Sequence, residues 1–134
     1  MDIINGLGTK PTEVYRGRDD FLAIFDSEKT IASLSPDMAI LCNIPSMGVI
    51  VTAQGHESDF VSRFFAPQSG IPEDPVTGSA HTTLIPYWSK KLGKQNMNAK
   101  QLSKRAGELV CKDLDKRVEI GGRAVIYLVG EISL

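Results

Sequence analysis

The strongest constraint on the fold is a helical stretch, from about Thr77 to Leu92, that is apolar around most of its circumference. Ala80, Leu84, Trp88 and Leu92 recur every four residues, with Ile85 and Tyr87 beside them. A surface helix carries one apolar stripe, whereas a helix apolar on most sides has to be covered on most sides. Pro86 lies inside the stretch and cannot donate a backbone N–H, which predicts a kink there. The alternative is a helix that stops near Ile85 and restarts.

Strands are the main candidates to cover this helix. Glu13-Val14-Tyr15 and Phe21 to Phe25 flank a Gly/Asp-rich turn and suggest a hairpin. Val49 to Ala53 reads as a buried strand. Asp59 to Phe65 reads as another, although its two faces are not cleanly polar and apolar. Glu108 to Cys111, Val118 to Ile120 and Ala124 to Val129 complete the set, with Gly121-Gly122 as the hairpin turn between the last two. Ser35-Pro36-Asp37 starts a short helix, Pro36 to Leu41, with Ser35 as cap and Pro36 in the first helical position. The expected class is α+β: one domain over residues 1–134, with a curved, barrel-like sheet wrapped around a central helix.

Composition narrows the function. Hydrophobic residues make up 42% and charged residues 23%, which is ordinary for a folded domain. The formal net charge of -1 supplies no positive field to gather phosphates, so nucleic acid is not an expected partner. No run reaches the ~18–20 apolar residues of a membrane span. Met1 to Gly6 has neither the basic nor the apolar region of a signal peptide. Cys42 and Cys111 stand alone and, with His56 and His81, form no metal-ligand spacing; a reducing, cytoplasmic setting without metal is the expectation.

Unusual residue choices concentrate in Arg63-Phe64-Phe65-Ala66-Pro67 and in Gly70 through His81. Pro75 biases Asp74 towards extended geometry and keeps the helix from starting there. The chain then enters the helix through Thr77-Gly78-Ser79, small residues that admit a ligand close to the backbone. Free N–H groups at a helix start can hold an anion such as a substrate carboxylate. An acidic side chain beside such a helix end suits proton transfer next to a carboxylate. Each element also has a plainer role. Asp74 could be a turn residue, Thr77 and Ser79 caps, and Gly78 a packing residue. Arg63 is expected to serve structure, His81 to pack or hydrogen-bond, and Glu73 to be exposed. Trp88, Cys42 and Cys111 are expected in the core.

As one string, Arg63 to Pro67 followed by Gly70-Ile71-Pro72-Glu73-Asp74-Pro75-Val76-Thr77-Gly78-Ser79-Ala80-His81 resembles the signature of PhzF-like proteins. The resemblance continues through Pro86-Tyr87-Trp88, Gln101 to Gly107 and Val118 to Ala124, and upstream through Gly48 to Ala53. It implies one domain of the two-domain diaminopimelate-epimerase-like fold, with the active site in the cleft between the domains. It implies cofactor-independent isomerisation or epimerisation by proton transfer at carbon on a small carboxylate. Asp74 would be the catalytic group of this half, and Thr77, Gly78 and Ser79 would face the substrate. Family members are roughly twice this length, and their general base is a Glu in the N-terminal half. Leu7-Gly8-Thr9-Lys10-Pro11 already resembles the entry to the second domain, so that half has no counterpart here. A base must lie within hydrogen-bond reach of the proton it removes. The chain alone is therefore expected to be inactive, with a separate N-terminal half or a homo-oligomer such as a dimer as its partner.

Overall fold

The computed structural model describes residues 2–133. Its framework is a mixed sheet built from β1 (Glu13–Arg16), β2 (Asp20–Ile24), β3 (Gly48–Gln54), β4 (Phe60–Ala66), β6 (Asn96–Gln101), β7 (Gly107–Asp113) and β8 (Val118–Gly121). Those seven strands run in the order β1-β2-β3-β4-β6-β7-β8, and β5 (Ile71–Asp74) pairs beside β4. The β2–β3 and β4–β6 pairs are parallel and the others antiparallel. Parallel neighbours need a crossover. Helix α4 (Gly78–Leu92) lies on the connection from β4 to β6, and α2 (Glu28–Ser33) and α3 (Met38–Cys42) lie on that from β2 to β3.

The sheet curves around α4. Ala80, Leu84, Ile85 and Trp88 form one core with Leu22, Ile24, Ile50, Phe60, Met97, Ala99, Leu109 and Cys111. Val118 and Ile120 of β8 pack on this core, and Tyr15 of β1 meets Tyr87, so strands from both ends of the sheet reach one helix. Burying each large apolar side chain contributes about 1.5–3 kcal/mol. The one polar atom that Trp88 carries is satisfied: its Nε1–H donates to Thr52 Oγ1 at 2.9 Å. The helix runs unbroken through Pro86 and stops at Gly93, whose φ of 65° is the left-handed cap conformation that glycine favours.

A second core covers the opposite face, where α1 (Asp2–Leu7), α2 and α3 pack on the central strands. This explains the ambiguous faces of β4. Phe60 and Phe64 point to the α4 side, while Val61 and Phe65 point to the other, and each side packs against an apolar core.

Three expectations need correction. The short helix starts at Met38, with Asp37 as its cap: Asp37 Oδ1 accepts from the N–H groups of Ala39 and Ile40. With the Asp37 carboxylate taking those first N–H groups, Ser35 caps nothing. Cys42 is exposed at the end of α3. Residues 124–129 form no strand, and Gly121-Gly122 makes no hairpin. Val125, Ile126, Tyr127, Leu128, Val129 and Ile132 are instead 80% to 98% exposed. Their strand propensity finds no ladder partner among the described residues, and an unpaired strand gains no hydrogen bonds. Among the described residues, no helix is long and apolar enough to cross a membrane.

Candidate functional site

The segment Asp74 to Ser79 joins the end of β5 to the start of α4. Pairing of β5 with β4 sets Asp74 opposite Phe64. Three residues later Thr77 takes the N-cap position with φ −115° and ψ 99°, but its side chain does not cap the helix. The Thr77 hydroxyl donates instead to Asp74 Oδ2 at 2.5 Å. No hydrogen bond among the described residues engages the other oxygen, Oδ1. The absence of a side-chain cap leaves the first N–H groups of α4 available.

Thr77 is buried, Asp74 half-buried, and Gly78 and Ser79 exposed on the helix tip. Asp74 opens on a cavity of about 610 Å³ lined also by Pro75, Val76, Arg105, Glu108 and Arg123. Gly78 and Ser79 are not among its lining residues. The structure thus joins Asp74 directly to Thr77, and sets Gly78 and Ser79 at the adjoining helix start. A carboxylate with one oxygen anchored and one free can take or give a proton there. The neighbouring N–H groups and the helix dipole favour a negative charge.

The turn is braced from beneath by residues to which the sequence assigned no role. Gln101 Oε1 accepts from Thr77 N–H at 2.8 Å, and its Nε2 donates to Asp74 O at 2.9 Å and to Thr77 Oγ1 at 3.1 Å. Ser103 Oγ donates to Pro75 O at 2.7 Å. The available signal was the alternation Met97, Ala99, Gln101, which sets Gln101 on the same face as two apolar residues. Glu73, expected to be exposed, is half-buried and pairs with Arg63 through two bonds, Nε to Oε1 at 2.7 Å and Nη2 to Oε2 at 3.0 Å. Arg63 thereby ties β5 to β4, in the structural role expected of it.

Two other titratable groups lie in the core near α4. Burial, with the Asp59 charge adding, pushes the Cys111 thiol up to about 11, which leaves it protonated and poorly nucleophilic at neutral pH. His81 is fully buried against Phe60; its Nδ1 lies 2.7 Å from Thr77 O, and Nε2 has no partner among the described residues. A carbonyl accepts only, so Nδ1 carries the proton. Burial depresses the His81 pKa from its ordinary 6.5, against the opposing pull of the Thr77 carbonyl. The unfolded chain therefore binds more protons below 6.5. The stabilisation is whole above that value and is lost as pH falls through the lower folded value. Urea unfolding at about pH 5 is expected to give a lower stability than at about pH 7, with a smaller difference in His81→Gln.

Comparison with known proteins agrees with this architecture. The family model described as phenazine biosynthesis-like protein matches residues 3–130. The chain is 47% identical over its whole length to an uncharacterized isomerase of Pseudomonas aeruginosa, and covers 51% of that protein. It is 45% identical over 99% of its length to an uncharacterized isomerase of Halalkalibacterium halodurans, again covering 51%. A crystal structure of a PhzF-family phenazine biosynthesis protein from Enterococcus faecalis superposes with a TM-score of 0.90 at 46% identity. That match covers 99% of this chain and 51% of the other. The chain thus spans about half the length of the relatives it matches. With family model, sequence and fold in agreement, it belongs to the PhzC-PhzF family of phenazine biosynthesis-like proteins.

Proposed function

We propose that this chain is the C-terminal half of a cofactor-independent isomerase or epimerase that moves a proton at carbon on a small carboxylate. The observation that carries this is the carboxylate of Asp74 anchored to Thr77 at the uncapped head of α4. Asp74 gives or takes the proton, and the N–H groups at Gly78 and Ser79 hold the substrate carboxylate. The names of the Pseudomonas and Halalkalibacterium relatives support the isomerase class. The general base comes from a second half, as the twofold length of those relatives suggests. Deuterium incorporation into a panel of small amino and hydroxy acids in D2O tests this. Exchange is expected only when the matching N-terminal half is supplied. Turnover by the 134-residue chain alone would contradict the need for a second half.

The exposed apolar run from Val125 to Ile132 favours a second reading, a non-catalytic carboxylate-binding or assembly module. In that case the chain self-associates into a dimer or larger species without a partner half. Light scattering at high protein concentration distinguishes the two, since a monomer there would remove the assembly reading.

A further inference from the structure

We propose that Gln101 is the positioning residue for Asp74, fixing both where its carboxylate sits and which way the hydrogen bond to it runs. This rests on Asp74 being the proton-carrying group. Gln101 closes β6, is 1% exposed, and stands beside Ser62 of β4. A buried amide is costly unless its donors and acceptor are used. Here all three of its bonds go to the turn from Asp74 to Thr77.

The amide orientation follows from its partners. Thr77 N–H can only donate, so it must meet the Gln101 oxygen; the Asp74 carbonyl can only accept, so it must meet the nitrogen. The same NH2 group donates to Thr77 Oγ1. With an N–H already pointing at that oxygen, the single hydroxyl proton of Thr77 is directed at Asp74 Oδ2. Gln101 therefore acts on the carboxylate through Thr77. Ser103 braces the same turn through Pro75 but does not reach the side chains.

Substitutions separate positioning from filling. Gln101→Glu keeps an acceptor for Thr77 N–H but loses both donors, so the Thr77 hydroxyl turns away from Asp74. Gln101→Met keeps the volume and loses every bond. The primary readout is the 13C resonance of the Asp74 carboxyl in the isolated chain, which needs no substrate. It is expected to move in both variants and in Thr77→Val, where Gln101 is untouched. Hydrogen exchange at the Thr77 amide should stay protected in Gln101→Glu and accelerate about tenfold or more in Gln101→Met. In the deuterium-incorporation assay with the N-terminal half present, kcat should fall about 10- to 100-fold in Gln101→Glu with little change in KM. An Asp74 resonance unmoved in Gln101→Glu and Thr77→Val would overturn the proposal, and those two variants suffice if Gln101→Met does not fold. A moved resonance in a protein whose wild type exchanges no substrate proton would uphold the positioning role and remove Asp74 from proton transfer.

Discussion

Asp74→Asn is expected to lower proton exchange by about 10²- to 10⁴-fold in the assay containing both halves, the usual contribution of a positioned acid or base. Asn is close to isosteric and keeps a side-chain oxygen that can accept from the Thr77 hydroxyl, so the turn should stay folded. It cannot exchange a proton at neutral pH. Because the change falls on the chemical step, kcat and kcat/KM should drop together. A thermal melt should show little change. Asp74→Asn with the wild-type rate would mean that the carboxylate only shapes the turn.

The largest expected loss of stability comes from Arg63→Met. The Arg63 side chain is 12% exposed and that of Glu73 22% exposed. Beyond its two bonds to Glu73, Arg63 Nη1 donates to Ile31 O at 3.1 Å and Leu34 O at 2.8 Å, and the guanidinium lies 4.8 Å from the Phe65 ring centroid. One cation thus joins the end of α2, strand β4 and strand β5. Removing it strands the Glu73 charge and takes the side-chain donor from Leu34 O and from Ile31 O, which keeps only the Leu34 N–H, at a cost of about 3–5 kcal/mol in denaturant unfolding. The paired variant Arg63→Met with Glu73→Leu should recover part of that loss, because no charge is then left uncompensated. Since β5 carries Asp74, the single variant should also loosen the site, seen as faster amide exchange across β5. An unfolding midpoint equal to wild type would show that this pair contributes nothing.

Much of this architecture was legible in the sequence because α4 is long. Fifteen residues repeat the apolar spacing through four turns, and Ala80, Leu84, Ile85 and Trp88 are buried with His81. Thr82, Pro86, Lys90 and Lys91 are exposed, so the helix is covered on one face rather than on most sides. The helices of the opposite face were not legible as a layer. α1 and α2 have six residues each and α3 five, too few for periodicity to separate helix from loop. β6 was missed because only Met97 and Ala99 point inwards as apolar residues, and the third inward position is Gln101. Around the candidate site, the segment Asp74 to Ser79 could be singled out from composition, but its internal bonds could not. A threonine before a helix reads as a cap; that Thr77 faces Asp74 depends on Gln101, 24 residues further along the chain. The run at 124–129 shows the converse. Its residues favour a strand, yet propensity without a neighbouring strand makes no ladder.

The head of α4 can be questioned most directly by titrating the 15N-labelled chain with a small carboxylate, glycolate, and following every backbone amide. Saturable shifts are expected at Gly78 and Ser79, accompanied by a change at Asp74, and they should vanish in Ser79→Pro. Proline is tolerated in the first helical turn while removing one of the donors. Glycolate that leaves Gly78 and Ser79 unmoved, or that binds Ser79→Pro as well as wild type, would contradict a carboxylate site at this helix end.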